Sequence, residues 1–398
     1  MNMMTEHYFD QSATTRPSDA AVEAMISAAW GNPSSVHAVG QRAANELREA
    51  RAAVGRTLGM PRFSQDRLIF TSCGTESNNI ALLGCARAKK RDPERPGTVI
   101  LSAGEHPSLE NPALLLEKEG YAVIRIPTAG GALDLDYLEK ALGEADAPVI
   151  FAGFMLVNNE TGAVYDVKSA ASLVKKKFPD AVVHCDAVQG YLKMKFTPTS
   201  LGVDTLTVSA HKIHAVRGAG ALYVNAAVLK RRNIAAVMPG GGQEGGFRSG
   251  TENLAAIRSF AAAAEEGYAD LDGHIARTAE LRARLDEGLS RLDVRLNRPV
   301  RGLANIASVV LPGIRSETML NELSGRGIYV SAGSAGAANS KKKSLALEAF
   351  GVSASDADST IRVSLDHTNT EEDVEALLEG LAEGIANLQR KRTASAGK

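Results

Sequence analysis

Arg67-Leu68-Ile69-Phe70-Thr71-Ser72-Cys73-Gly74-Thr75-Glu76 is the stretch on which the fold turns. Leu68 to Thr71 are aliphatic, aromatic or β-branched, the composition of a buried strand. Ser72 to Thr75 are small, and Glu76 opens a helical stretch that runs to Lys90. Strand, small-residue turn and helix make the first half of a βα unit. The pattern repeats outward. Thr98 to Ser102, Ala122 to Ile126, Pro148 to Phe154, Ala181 to Cys185, Thr205 to Ser209 and Ala219 to Val224 read as strands, with a helix from Ser108 to Gly120. Short apolar strands separated by helical segments predict an α/β fold, with a mostly parallel sheet flanked by helices.

Further along, the glycine-rich connection Pro239 to Gly250 leads into one long helix, Thr251 to Ser290. Asn305 to Leu311, Ile328 to Ser331 and Thr360 to Leu365 read as strands, and Glu371 to Arg390 as an amphipathic helix. This predicts a large domain over 15–260 and a smaller α+β domain built from 1–14 and 261–390. Residues 391–398 are expected to be a disordered tail. Ser331 to Ser344, dominated by Ala, Gly, Ser and Lys, reads as a mobile loop. No internal repeat of fixed period is visible.

Composition removes several classes of function. Among 398 residues, 45 Lys and Arg balance 46 Asp and Glu for a net charge of −1, which gives no support for a nucleic-acid or polybasic membrane binder. No apolar run reaches the roughly 18–20 residues of a membrane helix. Met1 to Asp10 has no apolar core of signal-peptide length, so a cytoplasmic protein is expected. The three cysteines, Cys73, Cys85 and Cys185, form neither a disulfide framework nor a zinc spacing.

Ligands of open α/β sheets bind beyond the carboxyl ends of the strands, so the residues there are the candidates. Gly74 and Thr75 offer bare amides, a helix N-terminus and a hydroxyl, which suit a phosphate; an ordinary helix cap is the alternative. Glu105-His106-Pro107 places an imidazole that could stack, titrate or cap. Asn158-Asn159-Glu160-Thr161-Gly162 is a polar turn. Asp186 closes an apolar run, costly if buried unpaired, and calls for a cationic partner. Lys212, flanked by Ser209 and His211, is a candidate Schiff-base former whose pKa desolvation would lower. His214 lies three residues beyond His211, but no carboxylate or cysteine set completes a metal site, so none is expected. Together one lysine, one strand-end aspartate, a phosphate turn and a stackable histidine make a coherent site for pyridoxal 5'-phosphate.

At these residues the sequence resembles the cysteine desulfurase family of class V, fold type I pyridoxal-phosphate enzymes, from Tyr8 to about Glu379. The shared motifs include Phe9-Asp10 through Ala13-Thr14-Thr15, Gly31-Asn32-Pro33-Ser34-Ser35-Val36-His37, Gly74-Thr75-Glu76, Glu105-His106-Pro107 and Asn158 to Gly162. Asp186-Ala187-Val188-Gln189, Ser209-Ala210-His211-Lys212 and Gly240-Gly241-Gly242-Gln243-Glu244 through Arg248-Ser249-Gly250-Thr251 complete them. The resemblance implies that Lys212 carries the cofactor, that His106 stacks on its ring and moves protons, that Asp186 pairs with the ring nitrogen, and that Gln189 bonds the ring hydroxyl. It implies that Gly74, Thr75, Ser209 and His211 hold the phosphate, and that Thr251 reaches the phosphate of the other subunit of a homodimer. Asn158 and Arg362 would orient a small amino-acid substrate, Arg362 by clamping its carboxylate.

The sequence also departs from the family. The family loop Ser-x-Gly-Ser-Ala-Cys, whose cysteine becomes a persulfide, here reads Ser331-Ala332-Gly333-Ser334-Ala335-Gly336. Gly336 has no side chain and cannot be a nucleophile, and no cysteine follows Cys185. After His214 stands Ala215-Val216-Arg217 where the family has Gly-Pro-Lys, and Cys73 replaces a glycine. Cys73 reads as a small buried residue on the phosphate side rather than a substitute nucleophile. The expected function is a pyridoxal-phosphate enzyme, transferase or lyase, acting on cysteine, selenocysteine or a related amino acid without the usual enzyme persulfide. The alternatives are another class V reaction (β-elimination, transamination or racemisation) or a non-catalytic partner in a sulfur-transfer complex with a sulfur-acceptor protein.

Overall fold

The computed structural model describes residues 5–60, 67–90, 96–333 and 344–396. A short strand, β1 (His7–Tyr8), precedes helices Asp19–Ile26 and Ala38–Thr57. Next come β2 (Arg67–Thr71), β3 (Thr98–Ser102), β4 (Ala122–Ile126), β5 (Val149–Met155), β6 (Val182–Asp186), β7 (Thr205–Ser209) and β8 (Gly220–Val224). They form one sheet in the order β2-β8-β7-β6-β5-β3-β4. β7, β6, β5, β3 and β4 are parallel, and β8 is antiparallel to both its neighbours, β2 and β7. β2 therefore points the same way as the parallel strands, and every strand of the sheet except β8 ends on one edge. This is the mostly parallel sheet that the sequence predicts.

Helices cover both faces, which is why β3 and β5 to β8 are buried at every residue. On one face, helices Asp19–Ile26 and Ala38–Thr57 pack on Leu254–Ala269, bringing Ala21, Leu47 and Phe260 into one core. On the other, Gly74–Lys89 packs on Pro107–Lys118 through Leu82, Cys85, Leu109 and Ala113. Burying each large aliphatic or aromatic side chain contributes about 1.5–3 kcal/mol.

β9 (Arg295–Leu296), β10 (Ile306–Val310), β11 (Ile328–Tyr329), β12 (Ser331–Ala332) and β13 (Thr360–Ser364) lie in the last third of the chain. The order β12-β13-β10-β9 makes a second, antiparallel sheet, while β11 pairs in parallel with β1. Phe9, wholly buried, joins Leu285, Met319, Val363 and Leu377 in a separate core beside that sheet.

Four expectations change. The long helix is two, Leu254–Ala269 and Leu271–Leu289, because Asp270 takes a non-helical backbone (φ −128°, ψ 40°) between them. Ile328 to Ser331 is not one strand: the chain passes from β11 to β12 at Val330, changing partner from β1 to β13. The C-terminal helix runs to Ala396, so residues 391–396 are not a disordered tail; neither proline nor glycine interrupts them before Gly397. Within the loop expected at Ser331 to Ser344, Ser331 and Ala332 form β12, and 334–343, with Gly336, lie outside the described residues.

Candidate active site

Six strands deliver their carboxyl ends to one edge of the large sheet, and the candidate residues are the ones that follow. Cys73 and Gly74 come after β2, His106 after β3, Asn158 after β5, Asp186 at the end of β6, and Ser209 to Lys212 after β7.

Lys212 is the best defined. Its ammonium lies 2.6 Å from the Ser12 carbonyl oxygen and 2.7 Å from that of Ala13, and donates to both. A neutral amine has two N–H groups, so both can be occupied while the lone pair stays free. Burial first, then the Lys193 and Arg362 cations, bring its pKa down to about 7. This is the desolvated, cation-flanked lysine that nucleophilic chemistry requires. Lys193 is itself buried and pulled down to about 8, with its nitrogen 3.3 Å from Gln189 Oε1. Gln189 in turn donates to the Ser12 carbonyl at 2.8 Å.

Asp186 is buried without the cationic partner expected for it. Oδ2 accepts from Asn78 Nδ2 at 2.8 Å and Oδ1 from the Val188 amide at 3.0 Å. Asn78 also donates to Ser108 Oγ at 2.8 Å, and its Oδ1 meets His184 Nε2 at 3.0 Å. That pattern puts the proton on His184 Nε2 and leaves Nδ1 to accept from Thr205 Oγ1 at 2.9 Å. Burial drives the His184 pKa down to about 3, so the ring is neutral. The network continues to His106, whose Nδ1 accepts from the Ser108 amide at 3.1 Å and caps the helix Pro107–Lys118. His106 Nε2 is thus its proton-bearing nitrogen. Burial and Lys212 lower its pKa, against Asp186. His106 caps its helix, and Asp186 and Lys212 are the charged groups that act on it.

The phosphate turn fits its ligand. A Cβ at Gly74 would come to 3.0 Å from Val188 Cγ2 and 3.6 Å from Ser209 Cβ, filling the space between helix and β7. Ser209 Oγ is buried with no hydrogen-bond partner, an orphan that an anion beside it would satisfy. Thr75 is exposed on the first turn of Gly74–Lys89. His211 Nδ1 is 3.2 Å from Thr14 Oγ1, and burial with the Lys212 charge brings its pKa to about 4. A lysine whose pKa is lowered to about 7, a buried carboxylate, a neighbouring histidine and a small-residue turn beside the orphaned Ser209 hydroxyl together fit pyridoxal 5'-phosphate.

Arg362, on β13, is 2% exposed. It donates through Nη2 to Asp10 Oδ1 at 2.7 Å and through Nη1 to the Asn159 carbonyl at 3.1 Å, while Nε has no partner among the described residues. Asn158 is engaged in its own turn, its Oδ1 accepting from the Glu160 and Thr161 amides at 3.0 Å each. Its Nδ2 donates to the Gly104 carbonyl at 3.3 Å. Thr251 is exposed, three residues after Arg248, whose Nε is 2.8 Å from Glu76 Oε1.

Two of the three cysteines are unsuited to the role of a catalytic thiolate. Burial pushes Cys85 up to about 12 and holds Cys185 well above its ordinary value. Cys73 is half-exposed at the N-cap of Gly74–Lys89 rather than buried. Its backbone leaves no room for a side chain at Gly220, where a Cβ would lie 2.7 Å from the Cys73 carbonyl carbon. Asn78, Ser108, His184, Lys193 and the Ser12 and Ala13 carbonyls were not legible as site components. Of these only Asn78 carries a signal, one turn beyond Gly74 on the same helix face.

A model of the family described as aminotransferase class-V matches residues 7–377. A protein named cysteine desulfurase from Trichormus azollae is 35% identical over 393 residues, covering 97% of this chain and 94% of the relative. An IscS-like cysteine desulfurase from Mycobacterium tuberculosis is 36% identical, covering 98% of this chain and 99% of its own. The solved structure of a NifS-like protein superposes with a TM-score of 0.86 at 34% identity, over 96% of this chain and 100% of that one.

Proposed function

This chain belongs to the aminotransferase class-V family, in its cysteine desulfurase branch, and we propose that it acts on cysteine, selenocysteine or a related small amino acid. Members of this family are pyridoxal 5'-phosphate enzymes, and the cofactor, when bound, supplies a ring that stabilises negative charge at the substrate α-carbon. The observation that carries the proposal is Lys212. Its nitrogen is anchored by two carbonyl oxygens, with a pKa lowered to about 7, among Asp186, His106 and Gln189.

The chain's own residues divide the remaining work. Asp186, held by Asn78, would supply the carboxylate for the ring nitrogen. His106, with its proton on Nε2, would stack on the ring and could pass that proton. Ser209, Gly74, Thr75 and His211 bind the phosphate, and Gln189 orients the ring hydroxyl. Arg362 has an uncommitted Nε and binds the substrate carboxylate after adjusting its pair with Asp10, with Asn158 beside it. The exposed Thr251 completes the site of a second copy in a homodimer. Position 336 is glycine and offers no thiol, so no enzyme persulfide forms there: the Cβ–S or Cβ–Se bond breaks either by elimination, releasing sulfide or selenide and leaving pyruvate and ammonia, or by attack of an acceptor protein's thiol on the sulfur or selenium, leaving alanine and the acceptor's persulfide or selenopersulfide. No described helix is long and apolar enough to cross a membrane, and we place the protein in the cytoplasm.

The test is to incubate purified protein with cysteine, selenocysteine and cysteine sulfinate and to measure sulfide, selenide, sulfite, alanine and pyruvate. A visible absorbance band lost in Lys212→Ala is expected alongside product. Bound cofactor with no product from any of the three would refute the proposal.

A further inference from the structure

Three side chains far apart in sequence meet on the wall of a cleft beside Lys212. His214 follows β7, and Asp366 and His367 follow β13; one ligand atom from each lies within 4.8 Å of the others. The cleft is also lined by Lys193, Lys212, His274 and Asn305. Read along the chain, no carboxylate accompanies His214; the fold brings one from 152 positions away.

The geometry at His214 is unusual. Its Nδ1 is 3.0 Å from the Arg16 carbonyl oxygen, which can only accept, so Nδ1 holds a proton. Nε2 is then the nitrogen turned towards Asp366, 2.9 Å from Oδ2. In a neutral ring that contact sets one lone pair against another. Oδ2 has no hydrogen-bond partner of proper geometry although Asp366 is 3% exposed. Either a proton on Nε2, which makes the contact an ion pair and raises the His214 pKa, or a metal ion in that proton's place resolves it.

Both groups are braced from behind, as metal ligands are. Asp366 Oδ1 accepts from the Thr368 amide at 2.9 Å and from Thr368 Oγ1 at 2.6 Å, leaving Oδ2 free. His214 is held at φ 67°, a conformation rare outside glycine, and its amide donates to Thr15 Oγ1 at 2.7 Å. His367 stacks on His274 at 3.6 Å between centroids and meets His214 edge-on at 5.3 Å.

We propose that His214 Nε2, Asp366 Oδ2 and a ring nitrogen of His367 bind a divalent transition metal of the zinc class, with a coordination position left for water in the cleft. Two imidazoles and one carboxylate suit zinc, cobalt or iron(II) and disfavour magnesium and calcium, which take oxygen ligands. The Lys193 and Arg362 cations oppose the ion. The site lies beside the cofactor cradle and does not depend on the substrate proposed above.

The test uses the full-length holoprotein with Zn²⁺ alone, then Co²⁺ as a spectroscopic probe. One zinc per chain should survive desalting, and cobalt should give visible d–d bands of a low-coordinate site. His367→Ala and Asp366→Asn should each weaken zinc binding by about 100-fold or more, and Thr368→Val by about 10-fold. His274→Ala should leave binding within about 3-fold, since it supplies no ligand atom. His367 is only partly buried, so His367→Ala decides the matter if Asp366→Asn does not fold. No retained zinc, or zinc binding by His367→Ala equal to wild type, overturns the proposal. So does a His214 ring shown by ¹⁵N NMR to stay doubly protonated, paired with Asp366, in the presence of Zn²⁺.

Discussion

Replacing Lys193 by methionine tests how the fold activates Lys212. With a pKa of about 7 in place of the ordinary value near 10.5, about three-quarters of Lys212 is neutral at pH 7.5, against about one part in a thousand for a free lysine. Burial is the first cause and the Lys193 charge the second. Coulomb's law with an effective dielectric of about 20 gives about 2 kcal/mol for like charges roughly 8 Å apart, or about 1.5 pKa units. Lys193 is a full cation only below about pH 8, which reduces the effect. Lys193→Met should therefore raise the Lys212 pKa by about one unit. The assay is trace acetylation of cofactor-free protein across pH 5–10, with the Lys212 peptide quantified by mass spectrometry. Wild type should show a midpoint near 7 and the variant one near 8. A wild-type midpoint above 9, or an unchanged midpoint in Lys193→Met, would refute the argument.

Glu105 is wholly buried, and its pKa is raised to about 8 by burial and by Asp186; its Oε2 has no partner. A carboxyl whose folded pKa lies above its unfolded value stabilises the fold fully below about pH 4.5 and loses that contribution as pH rises through 8. Glu105→Gln keeps the neutral form, so urea unfolding should find it close to wild type at pH 5 and more stable at pH 9 by on the order of 3 kcal/mol; equal stability at pH 9 would contradict the burial argument. Asn78→Leu removes the donor to Asp186 and leaves His184 Nε2 without its acceptor, while Ser108 keeps its contact with His106. It should cost about 2–4 kcal/mol in urea unfolding and weaken cofactor retention on dialysis. Unchanged retention would remove Asn78 from the cofactor site.

Strands were the most legible part of the fold, because β2, β3, β4 and β7 are runs of apolar residues ended by a change to small or polar ones. Helix ends were less so. The break at Asp270 looks in sequence like any acidic position on an amphipathic face, and only the backbone turn marks it. Lys212, Asp186 and His106 could be found because each closes a strand of one sheet, where position implies direction. Lys193 could not: it lies in a turn, and its meaning comes from the burial that brings it to Lys212. The His214, Asp366 and His367 cluster was invisible for a related reason, since its members belong to segments that meet only when the two sheets are in place.

The contacts of Lys212 with the Ser12 and Ala13 carbonyls join residues 200 and 199 positions apart. The segment that carries those carbonyls has neighbours that emerge later still. Phe9 packs in the core with Leu285, Val363 and Leu377, and its amide pairs with the Tyr329 carbonyl. On a ribosome, the segment around Phe9 is made well before the strands that hold it. Until β11 and β13 are released, Lys212 lacks settled carbonyl acceptors, so the setting of this one side chain depends on segments made more than a hundred residues after it.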